Sequence, residues 1–138
     1  MTNTLKKGFT LIEVMIVLGI VAILAALAVP AFQDALRKSR RSDAMNTIMD
    51  IQLAQERWRA SDTDYGTLVE MGFTNPQVSP DGHYSVRLSS VTATGYIITA
   101  TAQAPQDQDY CGNFILTNAA GVLTKTTSKG VADLCWRK

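Results

Sequence analysis

The stretch FTLIEVMIVLGIVAILAALAV, Phe9 to Val29, carries a single ionisable residue, Glu13. At ~1.5 Å per helical residue its roughly 21 residues span ~32 Å, enough to cross a hydrocarbon core. The chain can therefore span a membrane once. A carboxylate in such a segment costs about 2.5 to 3.5 kcal/mol at the bilayer centre and less near its edge, where Glu13 stands, so the residue reads as functional. It needs a cationic partner. Lys6 and Lys7 lie outside the run, which leaves a chain terminus, another chain or solvent at the interface.

Subtracting a span and a short leader from 138 residues leaves one modest domain. The formal net charge is +1, and without Lys6 and Lys7 eleven bases face twelve acids, or −1. That balance points to no strongly basic or acidic partner. Cys111 and Cys135 both lie in the polar C-terminal half. An even count behind an export-like N-terminus suggests one disulfide in an oxidising compartment, with two free buried thiols as the alternative.

Beyond the span, Pro30 lacks an amide donor and is expected to bend the helix. The following segment, to about Ala60, places Ala44, Ile48, Ile51 and Trp58 on one face at 100° per residue, with Met45 and Met49 beside them. Arg40, Arg41, Asp50, Arg57 and Arg59 fall opposite, as a solvated or intersubunit surface. SDTDYG then ends the helix, and TDYGTLVEMGFTNPQVSPDG reads as a connecting loop with a turn of helix near Leu68 to Met71. HYSVRLSSV, YIITATA, FILTN and VLTKT are short strands, with NAAG as a hairpin loop ending at Gly121. An antiparallel meander of three or four strands packed on the apolar helix face gives a small α+β head on a helical stalk.

Three readings compete for the N-terminus. Ala26-Leu27-Ala28 could serve as a secretory cleavage site, and a plain anchor would explain the length of the run but not Glu13. The third is a resemblance: KGFTLIE followed by a long apolar helix is similar to the class III signal of type IV prepilins and pseudopilins. DYG, HYSVRL, YIITATA with Pro105, DQDYCGNFILTNAAG and the closing CW resemble the PilE-like branch of type IV pilins, often minor pilins. NAAGVLTKTTSKGVADL between the cysteines is longer than that pattern.

The resemblance implies an α+β pilin fold, a long N-terminal α-helix, membrane-spanning in its first half, packed on a small antiparallel sheet. It divides the chain into a leader peptide, 1–8, an assembly helix, 9–30, an amphipathic second half, 31–60, and a head, 61–138. A prepilin peptidase would cut after Gly8 and methylate the new N-terminal Phe9. Glu13 would neutralise the N-terminal amine of a neighbouring subunit, and Cys111–Cys135 would bound a C-terminal loop. On the chain-entropy model, closing about 25 residues contributes roughly 3 to 4 kcal/mol. Lys125, Lys129 and Trp136 of that loop would form a contact surface.

Implied partners are other pilin subunits, the prepilin peptidase, an inner-membrane assembly platform and, before assembly, the inner membrane itself. The implied location is a single-pass inner-membrane protein with a periplasmic C-terminus, then an extracellular pilus. Arg37, Lys38, Arg40 and Arg41 after the span would favour the opposite orientation; the cysteines and the prepilin-like leader outweigh them. The implied role is a structural, minor subunit supporting pilus biogenesis, adhesion, twitching motility or DNA uptake. A pseudopilin of a type II secretion system and a solitary membrane-anchored periplasmic binding domain are the alternatives.

Catalytic chemistry is thinly represented, so we expect no enzyme and no cofactor. His83 is the single histidine and sits at a strand start. The cysteines lack zinc spacing, no glycine-rich phosphate loop follows a strand, and Asp62, Asp64, Asp107 and Asp109 lack the frame of a calcium loop. RKSRR, residues 37–41, is the candidate contact for DNA, although its place just after the span favours a position between subunits.

Overall fold

The computed structural model describes residues 8–137. Lys6, Lys7 and all but the last residue of the expected leader lie outside them. The main helix, α1, runs Leu11–Arg59, through Pro30, and the chain divides into two units after Ala35.

In the first unit every described residue is exposed, including Leu18, Ile23, Leu24 and Leu27, each more than 60% accessible. The helix is long and apolar enough to cross a membrane. An apolar surface of that extent, on all sides of a helix, needs lipid or other helices around it.

The second unit holds the rest of α1 and a five-stranded antiparallel sheet: β1 (Gln77–Val78), β2 (Tyr84–Ser89), β3 (Gly95–Ala102), β4 (Phe114–Ala119) and β5 (Val122–Thr127). The strands lie in the order of the chain, the meander expected from the alternation. One strand exceeds the expected number. β1 is too short to show a period and comes from the expected connecting loop; only its pairing, Gln77 with Val86 and Val78 with Ser85, defines it. A second short helix, α2 (Ala132–Cys135), has no sequence signal either.

Ala44, Met45, Ile48 and Ile51 of α1 enter the core with Tyr84 and Val86 of β2, Tyr96, Ile98 and Ala100 of β3, and Phe114 and Leu116 of β4. The alternate residues Arg87 and Thr101 face away and are exposed. Trp58 is half-buried as the helix face turns, and Met49 stays 43% exposed at its margin. Ala120 and Gly121 form the turn of the β4–β5 hairpin at φ 51° and 85°, the left-handed pair that a two-residue hairpin turn requires.

Apolar burial is not what fixes the helix against the loops. Asp43, Thr47 and Gln55 lie on the buried face of α1, where the apolar period did not place them. The Gln55 amide reads the backbone of Gly66 in both senses, Nε2–H donating to its carbonyl at 2.6 Å and Oε1 accepting its N–H at 2.9 Å. Asp43 accepts from Ser79 Oγ at 2.5 Å and from the N–H groups of Asp81 and His83 at 3.3 Å. Buried backbone groups must be satisfied, so these side chains set where each loop can lie.

Candidate functional site

Two places carry the residues singled out in the sequence. At the start of α1, Glu13 is not without a partner. Its Oε2 accepts the backbone N–H of Thr10 at 2.8 Å and the Thr10 hydroxyl at 2.8 Å, while Glu13 N–H donates back to Thr10 Oγ1 at 3.3 Å. This is a capping box, which satisfies donors that the first helical turn leaves open. Its signature, Thr-x-x-Glu before an apolar run, is present in the sequence, and a reading centred on charge passes over it. The cap supplies hydrogen bonds but no counter-charge. Phe9, one residue before the cap, is 90% exposed.

The second place is built around the disulfide. Cys111 and Cys135 are bonded, with Cα atoms 5.8 Å apart, and both are fully buried. The bridge joins residues 24 apart in sequence and closes a loop that contains β4, the hairpin turn, β5 and α2. Just before it, Asp109 is 2% exposed and makes a two-pronged pair with Arg41, Nε to Oδ2 at 3.0 Å and Nη2 to Oδ1 at 2.8 Å. Asp109 Oδ2 also accepts the N–H of Cys111 at 3.0 Å.

Two expectations are corrected by this pair. Arg41 belongs to the head-facing side of α1 rather than the solvated one, because a planar guanidinium pairs both oxygens of a buried carboxylate. Asp109 is likewise committed to Arg41 and is no solvated loop acid. Arg37 donates to Gln108 at 3.0 Å, so two of the four cations of RKSRR are held by head residues. Among the described residues no group of three metal-ligating side chains gathers, and Asp62 and Asp64 stay exposed in the loop after α1.

Gln106 links the same region inward, its Nε2 donating to the Arg37 carbonyl at 2.9 Å and to the Tyr84 hydroxyl at 3.2 Å. Burial pushes the Tyr84 phenol up to about 12, against the opposing hydrogen bond from Gln106. Across the closed loop, Trp136 Nε1–H donates to the Thr126 carbonyl at 3.1 Å, its ring meets Phe114 edge-on at 5.2 Å, and Lys125 Nζ stands 5.3 Å from its centroid. Lys125, Lys129 and Arg137 are exposed. Of the expected contact surface, Lys125 and Lys129 stand exposed, while Trp136 is occupied by Phe114, Lys125 and the Thr126 carbonyl.

Comparison with known proteins adds the family. The model described as "Type IV minor pilin ComP, DNA uptake sequence receptor" matches residues 30–115, and the prokaryotic N-terminal methylation motif matches residues 3–29. The type IV major fimbrial protein FimA of Dichelobacter nodosus is 32% identical over 128 residues, covering 91% of this chain and 81% of that protein. A type IV major pilin protein PilE1 of Neisseria gonorrhoeae is 35% identical over 106 residues, 72% of this chain and 59% of that one. Prepilin peptidase-dependent protein D of Escherichia coli is 47% identical over 51 residues, 37% of this chain and 35% of that one. The chain thus spans about half the length of the PilE1 relatives it matches. An apolar helix, an antiparallel meander, a disulfide-closed C-terminal loop and these matches converge on one conclusion: the chain belongs to the type IV pilin family, on its minor-pilin side.

Proposed function

We propose that this chain is a structural subunit of a type IV pilus, a minor pilin that acts by assembly rather than catalysis. The observation that carries the reading is an apolar helix, exposed along the first unit, headed by a methylation motif. Cleavage after Gly8 would free the Phe9 amine for methylation. Glu13 would then take the amine of a neighbouring subunit, adding the counter-charge that the Thr10 cap does not supply. Transfer of the helix from lipid into a bundle of other pilins gives packing, and the charge pair gives register.

Partners in this reading are the prepilin peptidase, other pilins and the inner-membrane platform. The subunit waits in the inner membrane with its head in the periplasm, and Pro30 would let the helix bend as subunits pack. Mass spectrometry of sheared filaments tests it: we expect a chain beginning with N-methylated Phe9. A mature chain starting elsewhere, as after Ala28, would refute it.

A second reading concerns DNA, because the matched family is described as a DNA uptake sequence receptor. RKSRR is a poor contact, with Arg37 and Arg41 held by Gln108 and Asp109. The exposed Lys125, Lys129 and Arg137 around the disulfide fit better, since cations that reach phosphates supply most sequence-independent affinity. Full-length protein in detergent should bind duplex DNA in a salt-dependent manner, and Lys129→Ala should reduce the salt slope by about 1. Absence of duplex binding at low salt would refute this second reading alone.

A further inference from the structure

The disulfide surface presents two aromatic rings, and they are not equivalent. Trp136 is held by its indole N–H, by Phe114 and by the Lys125 ammonium. Tyr110 is 60% exposed, yet its backbone is clamped on both sides. Asp109, before it, is pinned to Arg41, and Cys111, after it, is bonded to Cys135.

A glycine shelf holds the Tyr110 ring from beneath. Gly130 has φ +65°, and a Cβ added there would stand 2.6 Å from Tyr110 Cε1. Gly112, at φ +63°, allows a second close approach: a Cβ there would meet Ser128 Oγ at 2.5 Å and Lys129 Cγ at 3.2 Å. The stem of Lys129 therefore lies across Gly112, two residues from the ring. A single exposed aromatic is unremarkable on any surface. A ring carried on backbone held by an ion pair and a disulfide, with one edge against a glycine, is different, because it has less freedom to lose on binding.

We propose that Tyr110 is the aromatic contact residue of the head for DNA, its ring meeting the sugar or base edges in a groove while Lys129 reaches the flanking phosphate. The proposal rests on the DNA reading above. Among the described residues the cations of this stretch are Lys125, Lys129 and Arg137, and the acids Asp107 and Asp133 are exposed in the same stretch. So mixed a charge makes a weak electrostatic binder and leaves a larger share to an apolar anchor.

The test is fluorescence anisotropy of labelled, fragmented duplex DNA from the source organism, titrated with the full-length protein in detergent at several salt concentrations. Tyr110→Ala should weaken binding roughly 10-fold, as loss of a preorganised aromatic anchor does, with the salt slope unchanged. Tyr110→Phe should bind like the parent. Lys129→Ala should lower the slope by about 1. Trp136→Phe should leave affinity and slope at parental values.

Tyr110→Leu, with its melting curve, separates loss of the ring from loss of the fold and should bind as weakly as the alanine variant. If Tyr110→Ala and Tyr110→Leu both bind like the parent while Lys129→Ala loses slope, the aromatic role is wrong and the DNA reading stands. A reduced salt slope in either Tyr110 variant also overturns the aromatic role. A parent that binds no duplex at low salt overturns both.

Discussion

The chain contains nearly the same tetrapeptide twice, Thr10-Leu-Ile-Glu13 and Thr67-Leu-Val-Glu70. Both fold into the same cap. Thr10 N–H and Oγ1 donate to Glu13 Oε2 at 2.8 and 2.8 Å; Thr67 N–H and Oγ1 donate to Glu70 Oε2 at 2.8 and 2.7 Å. The return bonds, from Glu13 and Glu70 N–H to the threonine hydroxyls, are 3.3 and 3.4 Å. The segments that the two caps open are entirely different. The first begins a 49-residue helix whose start is apolar and long enough to cross a membrane. The second begins a single turn, where Phe73 N–H closes on the Leu68 carbonyl at 2.8 Å and the chain leaves for β1. Local sequence writes the cap, and the surroundings decide whether its carboxylate is a solvated brace or, as proposed for Glu13, a charge that pairs with a neighbouring subunit.

Removing each acid in turn separates the two caps most sharply. Glu13→Ala should reduce incorporation into sheared filaments to background while the protein stays in the membrane with an unchanged head melting curve. Glu70→Ala should leave incorporation intact. Equal effects on assembly would mean the first acid is only a cap. The Thr67 N–H, and secondarily its hydroxyl, hold the Glu70 carboxyl below its usual range. Its small contribution is therefore present at neutral pH and fades as pH falls through that depressed value.

Next in size is the head's own staple. Replacing Cys111 and Cys135 together by serine should lower head stability by about 3 to 4 kcal/mol on the chain-entropy model, read from denaturant melts. Membrane retention, which depends on the apolar helix, should not change. A loss of retention would show that the two regions are not separable in this way.

The core of the head can be read by alkali. Tyr84 is fully buried and its phenol is raised to about 12. The unfolded phenol ionises first, so this stability is complete below about pH 10 and is lost as pH rises towards 12, roughly 2 to 3 kcal/mol in all. Tyr84→Phe should flatten that alkaline decline in chemical melts. The smallest effect expected is that of Thr67→Ala, about 1 kcal/mol for a lost helix cap. A cost several times larger would make the second cap a fold determinant rather than a local brace.

Much of the fold was legible from the residues alone. The apolar run, the four longer strands, the hairpin at Gly121 and the cysteine pair each depend on composition or a period of a few residues. Local sequence reports such features because neighbouring side chains alone determine them. The β1 strand and α2 were not legible, since two and four residues carry no period. Nor was the burial of Arg41 and Asp109, which lie 68 residues apart and neutralise each other only once the head closes.

The same division applies to function. A membrane-length helix, an acid at its head and the motif that places the chain among pilins are all written in consecutive residues, because they act through local hydrophobicity and local hydrogen bonds. It took the folded head to turn two arginines of RKSRR towards it, to occupy Trp136, and to leave Tyr110 exposed on a glycine shelf. Those outcomes depend on which distant groups meet, and burial makes an unpaired charge or donor costly enough to fix the meeting.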